Sequence, residues 1–307
     1  MNKSFDLTGV LLVLTGAICS STKAVLVKLA YPYGIDALSL LVVRMAMVFP
    51  FFVLLAIFSK SPVHVERRPR DYWFLIPIGL LGYYLASFLD FYGLQIVPAS
   101  VERLILFSYP TLVVILSWIF LREKTNIYQL IALFLTYAGI LLVLNGDVSL
   151  PDRTLLWKGG SIIFLSALSY ALYLVGSSKM IPKFGVIRFT SLVLSVAGLG
   201  VFTHAGIVQL EGLLSYEWPV YGYIGLIAVI ATIIPVFLIS EGIRRIGPSN
   251  TAIIGSVGPI ATIFLAYIFL DERLTFIQIV GTVVVLAGVM MVSLQKSRKK
   301  EREIGKG

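Results

Sequence analysis

Ten apolar runs succeed one another along this chain, near 7 to 29, 36 to 58, 72 to 92, 99 to 121, 127 to 145, 157 to 180, 187 to 207, 219 to 240, 249 to 270 and 275 to 294. A helix crosses a bilayer core with about 20 apolar residues, and in lipid every backbone N–H and C=O must find its partner within the segment. Each run is long enough to span, and no break between runs is long enough to hold a soluble domain. The expected fold is therefore an all-α polytopic membrane protein of ten transmembrane helices. Composition agrees, since hydrophobic types make up 58% of the 307 residues and charged types 13%. The mean hydropathy of +0.93 exceeds what a water-facing surface accommodates.

The breaks carry turn chemistry at Tyr31-Pro32-Tyr33-Gly34, Asn145-Gly146-Asp147, Ile181-Pro182-Lys183-Phe184-Gly185 and Gly247-Pro248-Ser249. They also carry the charge. One side collects Lys3, Lys60, Arg67, Arg68, Arg70, Arg122, Lys124, Lys179, Lys183, Arg188, Arg244, Arg245 and the six basic residues from Lys296 onward, whereas the other has Arg153, Lys158 and Arg273. Positive charge stays on the cytoplasmic side, so both termini are expected there, in the cytoplasmic membrane. The net charge of +9 reads as a topology signal and an anionic-lipid contact of the basic tail 296–307, not as a nucleic-acid footprint. The single cysteine, Cys19, lies within the first run, so neither an internal disulfide nor a cysteine metal site is expected. Only Lys3 precedes the first run, which is too long for a signal segment and is expected to stay as a helix.

An internal repeat is the most informative feature. Residues 93–143 laid on 242–292, a shift of about 149 positions without a gap, agree at about a quarter of the positions. Agreements include Pro110 with Pro259, Ile119-Phe120-Leu121 with Ile268-Phe269-Leu270, Glu123 with Glu272, Gln129 with Gln278 and Ala138-Gly139 with Ala287-Gly288. Apolar helices match one another at Leu and Ile by chance, but not readily at Pro, Glu, Gln and Ala-Gly. The chain thus divides into two halves, 1–148 and 149–295, each of five spans. An odd number of spans makes the second half enter from the opposite side, an inverted repeat that in transporters places a binding site near the midplane between the halves.

Pro98-Ala99-Ser100, Tyr109-Pro110, Phe120-Leu121-Arg122-Glu123-Lys124 and Tyr137-Ala138-Gly139-Ile140 resemble the first-half signature of EamA-type permeases in the drug/metabolite transporter superfamily. Gly247-Pro248-Ser249, Gly258-Pro259, Phe269-Leu270-Asp271-Glu272-Arg273 and Leu286-Ala287-Gly288-Val289 repeat it. Each motif is weak alone, but their order and duplication over nearly the whole chain are specific. The resemblance implies a ten-helix basket, cytoplasmic termini, alternating access, and a cavity lined by spans one, three and four against six, eight and nine. It implies a small-metabolite substrate without choosing among amino acids, nucleobase-like compounds and cationic drugs.

Charges inside spans cost several kcal/mol on insertion scales, which makes each a candidate functional group. They are Lys23, Arg44, Asp90, Glu102 and Arg103. Counted from their helix ends, all five fall in the outer half of the membrane, where Asp90 and Glu102 can pair with Lys23, Arg44 and Arg103. Two readings stand side by side: a buried network that locks the first half, or a site in which Lys23 or Arg103 binds an anionic group while Asp90 or Glu102 exchanges a proton. Arg44 reads as structural. Tyr83, Tyr109, Tyr170 and Tyr173 are candidate aromatic walls. Ser166, Ser169, Tyr170, Tyr173 and Ser177 share one side of span six, as a wetted wall or as interhelical glue. Pro110 and Pro259 stand mid-span in equivalent helices and read as paired bends. The cation excess favours an amino acid or an organic anion as substrate, and the proton is the candidate coupling ion.

An enzyme is disfavoured because His64 and His204 are the only histidines and no two carboxylates sit on protease-like motifs. The absence of a phosphate-cradling glycine loop removes direct ATP coupling, and no cofactor or metal is expected. No repeated carbonyl loop suggests a channel filter. A flippase for lipids or lipid-linked sugars stays open as the alternative.

Overall fold

The computed structural model describes residues 7–59, 68–121, 153–208, 212–246 and 257–277, with positions 131, 134–135, 137–139, 141–142, 279–284 and 286–287. All regular structure among them is helical. In chain order the helices are α1 (Leu7–Ala30), α2 (Ala37–Phe58), α3 (Pro69–Ile96), α4 (Ala99–Leu106), α5 (Tyr109–Leu121), α6 (Arg153–Phe184), α7 (Val186–Ile207), α8 (218–246) and α9 (Val257–Leu270). Six of them, α1, α2, α3, α6, α7 and α8, are long and apolar enough to cross a membrane. Most of the runs 127 to 145 and 275 to 294, the Arg122-Glu123-Lys124 turn and the basic tail lie outside the described residues.

Local chemistry sets the helix ends. Gly34, at φ 82, returns its N–H to the Tyr31 carbonyl and ends the first hairpin arm. Asp36 then caps α2 by accepting from Leu38 N at 2.8 Å and Ser39 N at 3.0 Å. The turn expected over 181–185 is narrower in the structure. Helix α6 runs on through Phe184, and Gly185 alone, at φ 76, redirects the chain into α7.

The fourth apolar run is two helices instead of one bent helix. Helix α4 ends at Leu106, Phe107 and Ser108 form a turn, and α5 starts at Tyr109. A proline at 110 has no N–H to give the Leu106 carbonyl, so a continuous helix fails there, whereas the first turn of a new helix accepts proline without loss. Pro259 likewise stands in the first turn described for α9.

The repeat reaches much further in three dimensions than in sequence identity. Helix α2 (37–58) recurs 149 residues later as α7 (186–207), and α3, starting at 69, recurs as α8, starting at 218. Each of that second pair contains a π turn, and the turns begin at equivalent positions, Leu80–Leu85 and Val229–Ile233. A π turn inserts one extra residue into a helix, rotates the next turns about the axis and loosens local hydrogen bonding.

Packing is exchanged between the halves. Helix α1 packs on α8 and α9, helix α6 packs on α3 and α5, and α2 packs on α7. Gly93 of α3 meets Ile163 and the Gly159 carbonyl of α6, and its repeat partner Gly242 of α8 meets Val13 and the Gly9 carbonyl of α1. A side chain at either glycine collides with its neighbour, so both permit the same close approach. The principal core combines α1, α2, α7 and α8 through residues such as Val27, Leu41, Phe52, Val201 and Ile224. Outward faces are apolar, with Phe58, Trp73, Ile207 and Trp218 each more than 70% exposed. That arrangement is stable only where lipid is the solvent.

Candidate functional site

The structure gathers four of the five intramembrane charges at the junction of α1, α3 and α4. Lys23 forms an ion pair with Asp90 Oδ2, and the two side chains are 19% and 3% exposed. Glu102, wholly buried on α4, lies within side-chain hydrogen-bonding reach of Asp90. Asp90 Oδ1 and both Glu102 oxygens have no hydrogen-bond partner among the described residues. Buried carboxyl oxygens without a donor are placed to receive one from a ligand.

Arg103 joins three helices from both halves. Its Nε donates to Thr262 Oγ1 of α9 at 2.9 Å, and its Nη2 donates to the Ser20 carbonyl of α1 at 3.2 Å. Thr262 donates to the Ser21 carbonyl at 3.2 Å, and Ser21 Oγ donates to the Gly258 carbonyl at 3.0 Å. Arg44 stands apart from these bonds. It is buried on α2 with its guanidinium 4.9 Å from the Phe91 ring centre.

Next to the charges, all four candidate tyrosines form one chain of rings across the seam between the halves. Tyr109 meets Tyr170 edge-on at 5.2 Å, Tyr170 stacks on Tyr173 at 5.5 Å, and Tyr173 meets Tyr83 edge-on at 5.2 Å. The hydroxyls of Tyr83 and Tyr173 are 3.4 Å apart. The serines beside them bond to helix backbone. Ser169 donates to the Leu81 carbonyl at 2.8 Å and Ser166 to the Ala86 carbonyl at 2.7 Å, both in or just after the π turn of α3. They are interhelical glue. Ser177 bonds its own helix at Leu174.

Sequence reasoning used Glu272 only as a marker of the repeat, and the structure gives it a contact. Its carboxylate accepts from Ala99 N at 2.8 Å, Ser100 N at 3.0 Å and Ser100 Oγ at 2.7 Å. A side chain of the second half thus caps the N-terminus of α4, the helix that carries Glu102 and Arg103. It reaches that position because Asp271, at φ 53, turns the chain sharply after α9. Thr262 and Ser21 were also missed. The signal for Thr262 was a threonine four residues after Gly258 in a helix of mostly apolar residues.

Comparison with known proteins agrees with this architecture. The family model described as the EamA-like transporter family matches residues 7–145 and 157–294. The uncharacterized transporter YcbK of Bacillus subtilis is 34% identical over 278 residues, covering 89% of this chain and 88% of its own. The uncharacterized transporter sll1319 of Synechocystis is 25% identical, with 95% and 94% covered. A solved crystal structure superposes with a TM-score of 0.62 over 94% of this chain and 98% of the other, at 16% identity, which speaks for the fold alone. With two matched repeats, membrane-long apolar helices and a relative above 30% identity, the chain belongs to the EamA-like transporter family of the drug/metabolite transporter superfamily, a family of multi-pass membrane transporters and not of enzymes.

Proposed function

We propose that this transporter moves a small metabolite bearing a carboxylate, an amino acid or an organic anion, by alternating access between two five-helix halves, with both termini cytoplasmic. The observation that carries the reading is the buried Lys23–Asp90 pair with Glu102 beside it, at the edge of a seam walled by tyrosines from both halves. Both charge signs are present. Lys23 and Arg103 suit a carboxylate, while the donor-poor oxygens of Asp90 and Glu102 suit an ammonium group or a proton. Substrate displaces Asp90 from Lys23, and the released carboxylate takes up a proton instead of standing charged in a medium that solvates it poorly. The four tyrosines supply flat, amphipathic walls that exclude water around the solute. Ten helices, with the apolar runs 127 to 145 and 275 to 294 as the fifth of each half, complete the proposed topology.

The test is a thermal-shift screen of the purified protein in detergent against amino acids, organic anions, nucleobases and cationic drugs, repeated with Lys23→Ala and Arg103→Ala. A carboxylate compound that raises the unfolding temperature of the parent, but of neither variant, is the expected result, because a ligand of the folded state stabilises it. A carboxylate-free compound that stabilises all three proteins equally overturns the reading.

A further inference from the structure

A cavity of about 450 Å³ lies away from the charge cluster, where α3 begins and α6 ends. On α3 its wall is Asp71, Phe74 and Ile78, and on α6 it is Gly176, Met180 and Lys183. Spacings of three and four put each trio on one helical face, so the cavity is a groove along the α3–α6 seam. It spans about seven residues of either helix, about 10 Å.

The groove is graded from charged to apolar. At the helix ends, Lys183 Nζ is 2.6 Å from Asp71 Oδ1, and Asp71 Oδ2 accepts the Arg68 backbone N–H at 3.0 Å. Asp71 therefore spends its single charge within the rim. Arg68 and Arg70 also line that rim, so three cations face one carboxylate. The guanidinium of Arg70 sits 5.3 Å from the Phe74 ring centre, which holds it over the groove. Deeper in, the floor is Ile78 and Met180, and the Ile78 side chain lies close over Gly176, which lines the floor with backbone alone. The flank is lipid-facing: Trp73 is 73% and Phe74 43% exposed, on a helix that starts after a polar stretch.

We propose that this groove is a binding site for one anionic phospholipid. Its phosphate lies among Arg68, Arg70 and Lys183, and the upper part of one acyl chain runs past Phe74 to Ile78 and Gly176. A basic rim at the level where α3 enters the apolar zone matches a headgroup in charge and in depth. The apolar floor matches a chain, and a soluble phosphate has no use for it. The site is independent of the substrate cluster, so neither inference stands or falls with the other.

The experiment titrates the purified full chain in neutral detergent with phosphatidylglycerol, with phosphatidylcholine of the same acyl chains, and with glycerol phosphate, reading the unfolding midpoint. Phosphatidylglycerol is expected to raise the midpoint saturably, with little response to the other two. Arg68→Gln with Arg70→Gln, at exposed positions, is expected to need at least about tenfold more phosphatidylglycerol for half the shift. Gly176→Leu, which keeps every charge and pushes Ile78 into the floor, is expected to weaken the response too. Phe74→Ser repeats that test at an exposed position, should the larger side chain disturb packing. A phosphatidylglycerol shift unchanged in these variants, an equal shift with phosphatidylcholine, or a shift reproduced by glycerol phosphate overturns the proposal.

Discussion

Lys23 and Asp90 show how an expensive pair of residues is tolerated between apolar helices. A buried ion pair contributes little net stability, because the desolvation of both charges offsets their attraction, but removing one partner strands the other and costs about 3–5 kcal/mol. This separates a structural from a functional role. Lys23→Met is expected to lower stability by about that amount, since Asp90 is left buried without its ion-pair partner. Lys23→Met combined with Asp90→Leu is expected to recover most of the loss. Thermal unfolding in detergent checks both. If the pair only holds helices together, the double variant also regains uptake in proteoliposomes. Under the proposed function its stability returns and its transport does not.

At the scale of elements, α4 is the sensitive piece. It is eight residues long, its C-terminal end is cut by the break before Tyr109, and its first turn is held by Glu272 from the other half. Ser100→Ala and Glu272→Ala are each expected to cost about 1–2 kcal/mol, in line with lost helix caps. The double variant is expected to fall well short of the sum, since both changes remove one shared interaction, and a double-mutant cycle on the unfolding midpoint measures the coupling. Additive losses would mean that the two side chains act separately. The sequence could not reveal this contact, because the groups being capped are backbone N–H donors at 99 and 100, which no residue type announces, and the acceptor lies 172 residues away. Long apolar runs and the turn at Gly34 were legible because span length and turn chemistry are local. The four tyrosines and four of the charges were legible as candidates, since polar groups in lipid are costly wherever they point. The break at Phe107 and Ser108 was half legible: Pro110 announced a disturbance, but whether a helix bends or restarts depends on what packs beside it. The π turns left no mark in residue type, and only their recurrence 149 residues apart shows them to be built features.

On the scale of the whole molecule, the halves seen in sequence are not the units that pack. Helix α1 is lodged against α8 and α9, and α6 against α3 and α5, so each half lends its first helix to the other. The equivalent glycines, Gly93 under Ile163 and Gly242 under Val13, lie on these exchanged contacts. Motion between the two sequence halves has to slide α1 and α6 past these neighbours, and the α2–α7 face is packed as closely. There Phe49 meets Phe202 edge-on at 5.3 Å over Gly198. The same exchange bears on assembly. If the chain is divided at 148, neither piece can bury the helix faces that its partner covers, since van der Waals packing and interhelical hydrogen bonds are what associate helices in lipid. Residues 1–148 and 149–307 made separately are each expected to be degraded or to aggregate, while the two produced together are expected to copurify from one tagged piece and to unfold at a midpoint near that of the intact chain. Gly93→Leu in the first piece is expected to abolish copurification, and Ile163→Ala in the second to restore part of it by making room. A first piece that is monodisperse and folded alone would show instead that the core is built within each half, and that the exchange of α1 and α6 adds contacts without creating the fold.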